Sequence, residues 1–402
     1  MRTIGRGSHS AASSALGYLY QCRYALLESL KRLRKDREFL VSIETLDDVV
    51  FEEVGEPPEL LQTKHHLNNP GDLTDSSSDL WKTIRIWCES ITAGNLPEGS
   101  LFFLITTAQT VDGSATYYLK TNASRNPESA MQRLNSTAES SISQTNALAY
   151  EAYRSLNHAQ KRQLLEFVFV VDGAPNIHDL DAELKEVVYF AVEQRFLDSF
   201  LKRLEGWWYR LAVKHLVDSD ARPIMSEELN SEMISLREQF KQESLPIDED
   251  IMRASVAASG YQDRLFVQQL RLIEIGNPRI FHAIRNYFRA FEQRSRWVRE
   301  DLLLVGELDR YEEGLVEEWD IVFQQMRDEL GDIATEEAKK AAAQTLYKWV
   351  ETGVLPLIRS NVTEPSIARG SYQILSEAKR VGWHLEFRER LQQLLEDQEA
   401  TS

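Results

Sequence analysis

The sequence predicts two domains of different kinds: an α/β domain over residues 1–175 with an α-β-β-β-α-β core, and an all-α domain over residues 176–402. Three observations predict this. The 402 residues exceed what one hydrophobic core usually organises. Up to about residue 171, short β-branched runs alternate with helical patterns. From about residue 180 almost to the end, helical periodicity prevails, which argues for separate layers.

After a Gly/Ser-rich arm, "SALGYLYQCRYALLESLKRL" places Leu16, Tyr20, Tyr24, Leu27 and Leu30 at helical spacing, predicting a helix with one buried stripe. "FLVSIE" and "VVFEEV" read as strands, "GEPPE" as a turn, and "LLQTKHH" as a third strand. "LNNPGDLTDSSS" is a loop whose serines and aspartates can cap the amphipathic helix "DLWKTIRIWCESI". "SLFFLITTA" has the unbroken apolar character of a strand covered on both faces, and "FVFVV" at 167–171 is one more buried strand. The boundary is expected just beyond it, near "DGAPNIHD". The later helices are long and charged along their faces, without a sustained heptad run or an internal repeat.

An apolar fraction of 43% predicts a packed fold. No apolar run reaches eighteen residues and the first twenty residues lack a signal-peptide core, so a cytoplasmic protein without a membrane span is expected. Two distant cysteines, Cys22 and Cys88, exclude a disulfide framework and a cysteine-rich zinc site. A net charge of -17 argues against nonspecific coating of nucleic acid. The positive exception is residues 1–38, where "KRLRKDRE" reads equally as a solvated helix end or a phosphate-facing patch.

The candidate site lies in "LLQTKHH". If the second and third strands form a hairpin, Asp48 meets Gln62 at one sheet end, and Lys64 projects from the same face as Gln62. A carboxylate, an amide oxygen and an ammonium around one space suit metal-assisted phosphodiester hydrolysis: the oxygens hold Mg²⁺ and the lysine orients or deprotonates water. Glutamine adds no charge, so a second acid is expected, with Glu44 at the end of the first strand and Glu28 on the first helix as candidates. The [Glu/Gln]-x-Lys pattern recurs at residues 183, 239, 337 and 377 in helical contexts; only Gln62 to Lys64 follows a strand with an acidic start. A second reading stays open here, in which Gln62 and Lys64 guard an edge strand against aggregation and Asp47-Asp48 is a simple turn. His65 and His66 either reach phosphate or end the strand.

"GYLYQ" (17–21), "IETLDDVVFE" (43–52), "LLQTKHH" (60–66) and "LTDSSSDLWKTIRIW" together resemble the PD-(D/E)xK, restriction-endonuclease-like nuclease domain of bacterial antiphage effectors. "RLEGWWYR" (203–210), "IRNYFRAFEQRSRWVRE" (284–300) and "GSYQILSEAKRVGWHLEF" (370–387) resemble the C-terminal domain of ABC-three-component system proteins, the group that includes Lamassu. The resemblance implies a metal-dependent DNA endonuclease. Asp48, Gln62 and Lys64 match its catalytic positions, Glu44 matches an accessory acid, and Asp48, Gln62 and Thr63 hold Mg²⁺ (or Mn²⁺). It also implies double-stranded DNA as substrate, an SMC-like ABC ATPase and a small middle subunit as partners, and restraint until foreign DNA is sensed.

One active site per chain motivates a homo-oligomer for cutting both strands. Trp207-Trp208 and Trp297 are candidate partner anchors, though tryptophans are usually core. The alternatives are a non-catalytic adaptor with a degenerate nuclease fold, bridging other components, and an RNA-cleaving enzyme using the same residues. No phosphate-binding glycine loop is visible, so the chain is not expected to hydrolyse ATP itself.

Overall fold

The computed structural model describes residues 11–66, 71–94, 96–97, 99–218, 221–331 and 333–399. The Gly/Ser-rich arm, with Arg2 and Arg6, and the loop residues 67–70 lie outside them. The chain divides into two compact units, residues 1–236 and 237–402.

The first unit runs α1 (Ala11–Leu33), β1 (Phe39–Ile43), β2 (Val49–Glu53), β3 (Glu59–Lys64), β4 (Asp72–Leu73), α2 (Ser78–Ala93), β5 (Leu101–Thr106), β6 (Gln109–Thr110), α3 (Pro127–Ser140), α4 (Ala147–Ser155), α5 (His158–Phe167) and β7 (Val168–Val171). It continues through α6 (Asp179–Val187), α7 (Leu197–Val217) and β8 (Ile224–Met225) into α8 (Ser226–Gln239). The five strands read from sequence are all present, as β1, β2, β3, β5 and β7, and the α-β-β-β-α-β order holds apart from the short β4.

The main sheet has the order β7-β5-β3-β2-β1-β8. β1 pairs antiparallel with β2 and with β8, and β2 antiparallel with β3, whereas β3-β5 and β5-β7 are parallel. The chain makes tight turns between β1, β2 and β3, and crosses over through α2 to reach β5, as parallel pairing requires. β3 therefore lies between β2 and β5, with its β2 pairing ending at Leu61 and Gln62 to Lys64 paired with β5 alone. β7, expected to be fully buried, is a terminal strand buried on alternate residues.

A core of Val50, Leu60, Trp81, Trp87, Phe102, Leu104, Tyr150 and Tyr153 packs α2 and α4 on one sheet face. α1 touches β1, β3, α6 and α7. It buries more than the single stripe predicted: Tyr20, Cys22, Tyr24, Ala25, Leu26, Leu27 and Leu30 are all buried. The reason is that α6 and α7 cover its outer side. Tyr18 Oη donates to the Ala212 carbonyl at 3.0 Å and Trp208 Nε1 to that of Cys22 at 2.9 Å. Arg23 pairs with Asp181 and Glu205.

This packing, with β8 on the sheet, also moves the division from the expected 175/176 to 236/237. Residues 176–236 complete the α/β unit instead of opening the helical one, and β8 makes that segment other than all-α.

The second unit contains α9 (Glu249–Arg253), α10 (Leu265–Leu272), α11 (Asn277–Arg299), α12 (Glu307–Leu330), α13 (Glu336–Thr352), α14 (Pro365–Glu377) and α15 (Phe387–Glu399). Its core includes Phe266, Ile284, Leu315, Trp319, Leu346, Tyr372 and Trp383. α11 and α14 approach so closely that a Cβ at Gly370 would lie 2.0 Å from the Asn286 carbonyl oxygen. Arg294 is buried between them, bonded to Ser371 Oγ at 3.1 Å and paired with Glu312. Trp208 and Trp297 are core residues, 2% and 0% exposed, and so present no anchor to a partner. No described helix is long and apolar enough to cross a membrane.

Candidate functional site

The β2-β3 register places Val49 opposite Leu61, so the preceding residue, Asp48, falls beside Gln62 and Thr63. The turn before it is closed by the Glu44 amide donating to the Asp48 carbonyl at 2.9 Å. Glu44 holds φ +57°, in the left-handed region that costs a side-chain-bearing residue energy and is concentrated at functional sites. The expected Asp48 to Gln62 hairpin contact is therefore present, at the end of the sheet where β3 leaves it.

Gln62 is 3% exposed in an inner strand, and a buried amide left without partners costs about 1–3 kcal/mol. Its partners are all side chains of this cluster. Nε2 donates to Asp48 Oδ1 at 2.7 Å and also to Asp47, and Oε1 accepts from Lys64 Nζ at 2.9 Å. Asp48 Oδ2 accepts from the Thr63 amide at 2.8 Å and from Thr63 Oγ1 at 3.0 Å. In a strand the N–H and C=O of one residue point to the same side, so the Thr63 carbonyl lies on the Asp48 edge.

Glu44 stands exposed at the rim. Partial loss of water raises its carboxyl pKa, the Gln21 amide opposes this, the Asp48 charge adds to it, and Lys64 draws it down. Asp48, Gln62, Thr63 and Lys64 are thus joined by hydrogen bonds, with Glu44 tied to Asp48 through the backbone of the turn.

Glu28 does not join them. It pairs with Lys31 and Arg32, and Arg32 also pairs with Glu53 and Glu59. Glu59 is the far end of β3, five residue steps or about 17 Å from Lys64. Gln21 is the α1 residue at the site, two helical turns before Glu28 on the same face. In the basic run, Lys31, Arg32 and Arg37 pair with Glu183, Glu59 and Glu53.

The two histidines take structural partners. His65 Nε2 accepts from the Ile177 amide at 3.1 Å and its ring stacks on Tyr20, while burial lowers its pKa. His66 Nε2 lies 2.6 Å from Asp79 Oδ2, a bond that raises the histidine and lowers the carboxyl.

Sequence reasoning missed Asp47. It is buried, accepts from Trp87 Nε1 at 3.0 Å as well as from Gln62, and burial pushes its pKa up to about 6 despite those bonds. The only signal available was a doubled aspartate before an apolar strand.

Among the described residues, no group of three or more His, Cys, Asp or Glu side chains is placed to hold a metal ion. The oxygens at this end of the sheet are of mixed type: the Asp48 carboxylate, the Gln62 amide oxygen, the Thr63 carbonyl and, at the rim, Glu44; the amide turns its NH₂ to Asp48 and its oxygen to Lys64. All are hard donors of the kind Mg²⁺ and Mn²⁺ accept, with fewer charges than an all-carboxylate site.

The comparisons address the two halves unequally. The first unit shows an α/β sheet with a polar cluster at one end. Residues 266–391 match the family model for C-terminal domain 7 of the ABC-three component (ABC-3C) systems. That match supports a component of an ABC-3C antiphage defence system. No protein of curated function matches the chain.

Among solved structures, the Acinetobacter baumannii Cap4 SAVED/CARF-domain containing receptor with the cyclic trinucleotide 3'3'3'-cAAA is similar at 12% identity, over 73% of this chain and 67% of that one, with a TM-score of 0.32. The Moraxella osloensis Cap4 receptor is similar at 15% identity, over 69% and 68%, with a TM-score of 0.33. At that similarity they define neither the fold nor a ligand of this chain.

Proposed function

We propose that the chain is a metal-dependent DNA endonuclease, the effector of an ABC-three-component, Lamassu-like antiphage complex, with a restriction-endonuclease-like domain in its first unit. The observation that carries this reading is the placement of Gln62, Thr63 and Lys64 at the exit of an inner strand, with Asp48 against them. A buried polar side chain costs stability unless it is hydrogen-bonded, and the partners that satisfy Gln62 are the other members of this cluster. The match of residues 266–391 supplies the defence context.

Asp48, the Gln62 amide oxygen and the Thr63 carbonyl would hold Mg²⁺ (or Mn²⁺), which when bound neutralises charge on the phosphate oxygens. Lys64 orients the attacking water and stabilises the charge that develops on phosphorus oxygens. Glu44, once ionised, adds the negative charge that Gln62 lacks and can accept the proton from that water. The partners are an SMC-like ABC ATPase, which restrains the nuclease until foreign DNA is sensed, and a small middle subunit. The active form is a homo-oligomer that cuts both strands, and the protein works in the cytoplasm.

The test is plasmid nicking and linearisation in Mg²⁺ by the purified chain and by Lys64→Ala, alone and with the ATPase and middle subunit plus ATP. Cleavage that Lys64→Ala abolishes while circular dichroism stays unchanged supports the reading. The neutral Gln62 favours a second reading, a non-catalytic adaptor, and this takes over if the full complex with DNA and ATP never cuts.

A further inference from the structure

We propose that His66 is a phosphate-contacting residue that grips the nucleic-acid backbone beside Lys64; this rests on the nuclease reading above for its substrate and on no metal ion. The two histidines that follow β3 turn to opposite sides. His65 faces α1, with its ring stacked on Tyr20 and its Nε2 accepting from the Ile177 amide. His66 faces α2, where its Nε2 lies 2.6 Å from Asp79 Oδ2. The bond from His66 holds the Asp79 carboxyl low, and the charges of Lys64 and Lys82 add to the effect. Lys64 and His66 therefore flank one carboxylate from positions two residues apart, about 7 Å along an extended chain.

His66 is fixed at both ends. Its backbone amide donates to Thr107 Oγ1 at 3.1 Å while Asp79 holds the ring. The side chain is nevertheless 42% exposed. The bond to Asp79 raises the imidazole pKa, so the ring keeps both protons where a free histidine has lost one. One N–H then serves Asp79, and the Nδ1–H, which has no partner among the described residues, is left to donate to an oxyanion. Lys64 likewise ion-pairs with no described carboxylate, its Nζ being bonded to the neutral Gln62 amide oxygen. Two adjoining cations with donors to spare suit the oxygens of a phosphodiester.

The charged and titratable groups around the ring are Asp79 and, one helical turn further along α2, Lys82, together with Lys64 and His65 of its own segment. The residue that meets it from the end of β5, Thr107, is uncharged.

The test is the binding of a short fluorescein-labelled DNA duplex to the full-length chain in EDTA, read by anisotropy between about 50 and 200 mM salt. Wild type is compared with His66→Gln, His66→Lys, Lys64→Ala, the His66→Gln/Lys64→Ala double variant and Asp79→Asn, with circular dichroism as a control for folding. His66→Gln should weaken binding about tenfold and flatten the slope of log K against log salt by about 0.9, the share of one phosphate contact. The double variant should flatten it by about 1.8. His66→Lys keeps a cation and should keep the slope. Wild-type binding should fall as pH rises through a value above the ordinary 6.5, where the imidazolium is lost, and Asp79→Asn should bring that fall down towards 6.5.

The proposal is overturned if wild type binds no duplex in EDTA, if His66→Gln keeps the wild-type slope and affinity, or if His66→Lys loses as much as His66→Gln, as a purely structural histidine would. A fall with pH that Asp79→Asn does not move overturns the part given to Asp79. Binding with the predicted losses but no cleavage by the full complex would sink the nuclease reading and leave the phosphate contact standing. Cleavage and binding that His66→Gln leaves unchanged would do the reverse.

Discussion

Replacing Gly370 by alanine should destabilise the second unit, against the usual benefit of that change in a helix. A Cβ at this position would sit 2.0 Å from the Asn286 carbonyl oxygen, 2.5 Å from Ala290 Cβ and 2.6 Å from the Asn286 carbonyl carbon. Two of those neighbours are backbone of α11, which no rotamer change can move. α14 must withdraw by about 1 Å, a gap that forfeits a quarter to a half of the dispersion energy across the seam.

Overpacking of this kind costs about 1–3 kcal/mol, and rigid backbone neighbours place it near the upper end. Helix propensity returns about 1 kcal/mol. The net loss is about 2 kcal/mol, or a fall in Tm of about 4–8 °C for a unit of this size. Gly314, in α12 of the same unit, is the control, since a Cβ there meets nothing within 4 Å. Gly314→Ala should stabilise by about 0.5–1 kcal/mol. Both variants are compared with wild type by urea and thermal unfolding; a Gly370→Ala protein as stable as wild type, or a shift of both in the same direction, refutes the close-packing argument.

His215 Nδ1 accepts from the Ile43 amide at 3.2 Å and its Nε2 lies 3.0 Å from the Arg222 carbonyl, while burial lowers its pKa. The unfolded chain therefore takes up the proton first, so stability is full above the ordinary histidine value near 6.5 and declines as pH falls below it. His215→Asn should flatten that decline in denaturation midpoints measured between pH 7 and 5. Arg294→Met should cost about 2 kcal/mol in urea unfolding. This is less than the full penalty of breaking a buried pair, because Glu312 keeps Arg380. Cys22 and Cys88 are free and buried, with thiols pushed up to about 11 and about 12. Neither should react with a thiol reagent until the chain is denatured.

The strands were legible because β-branched runs bounded by turn residues determine local structure, and the Asp48 to Gln62 contact followed from hairpin geometry alone. The division between units was not, because α6 and α7 carry the same helical periodicity as α11 and α12. β8, only two residues long, is too short to show a period. Glu28 was misplaced for a related reason: it shares a helix face with Gln21, and nothing in sequence says which turn of α1 stands over which end of β3. Asp47 looked like a turn residue because what buries it, the Trp87 indole, comes from a helix that begins 31 positions later.

The polar cluster also differs from its supports in how far apart in the chain its members lie. Asp48 and Gln62 are separated by 14 residues, whereas the His215 bond to Ile43 that ties the far edge of the sheet spans 172. Closing the short loop costs little chain entropy, and contacts of low sequence separation form early. The β2-β3 hairpin can thus assemble its carboxylate and amide while the chain beyond it is still unstructured or still on the ribosome. Substitutions at the Asp48-Gln62 contact should slow folding, and those in β8 should mainly hasten unfolding.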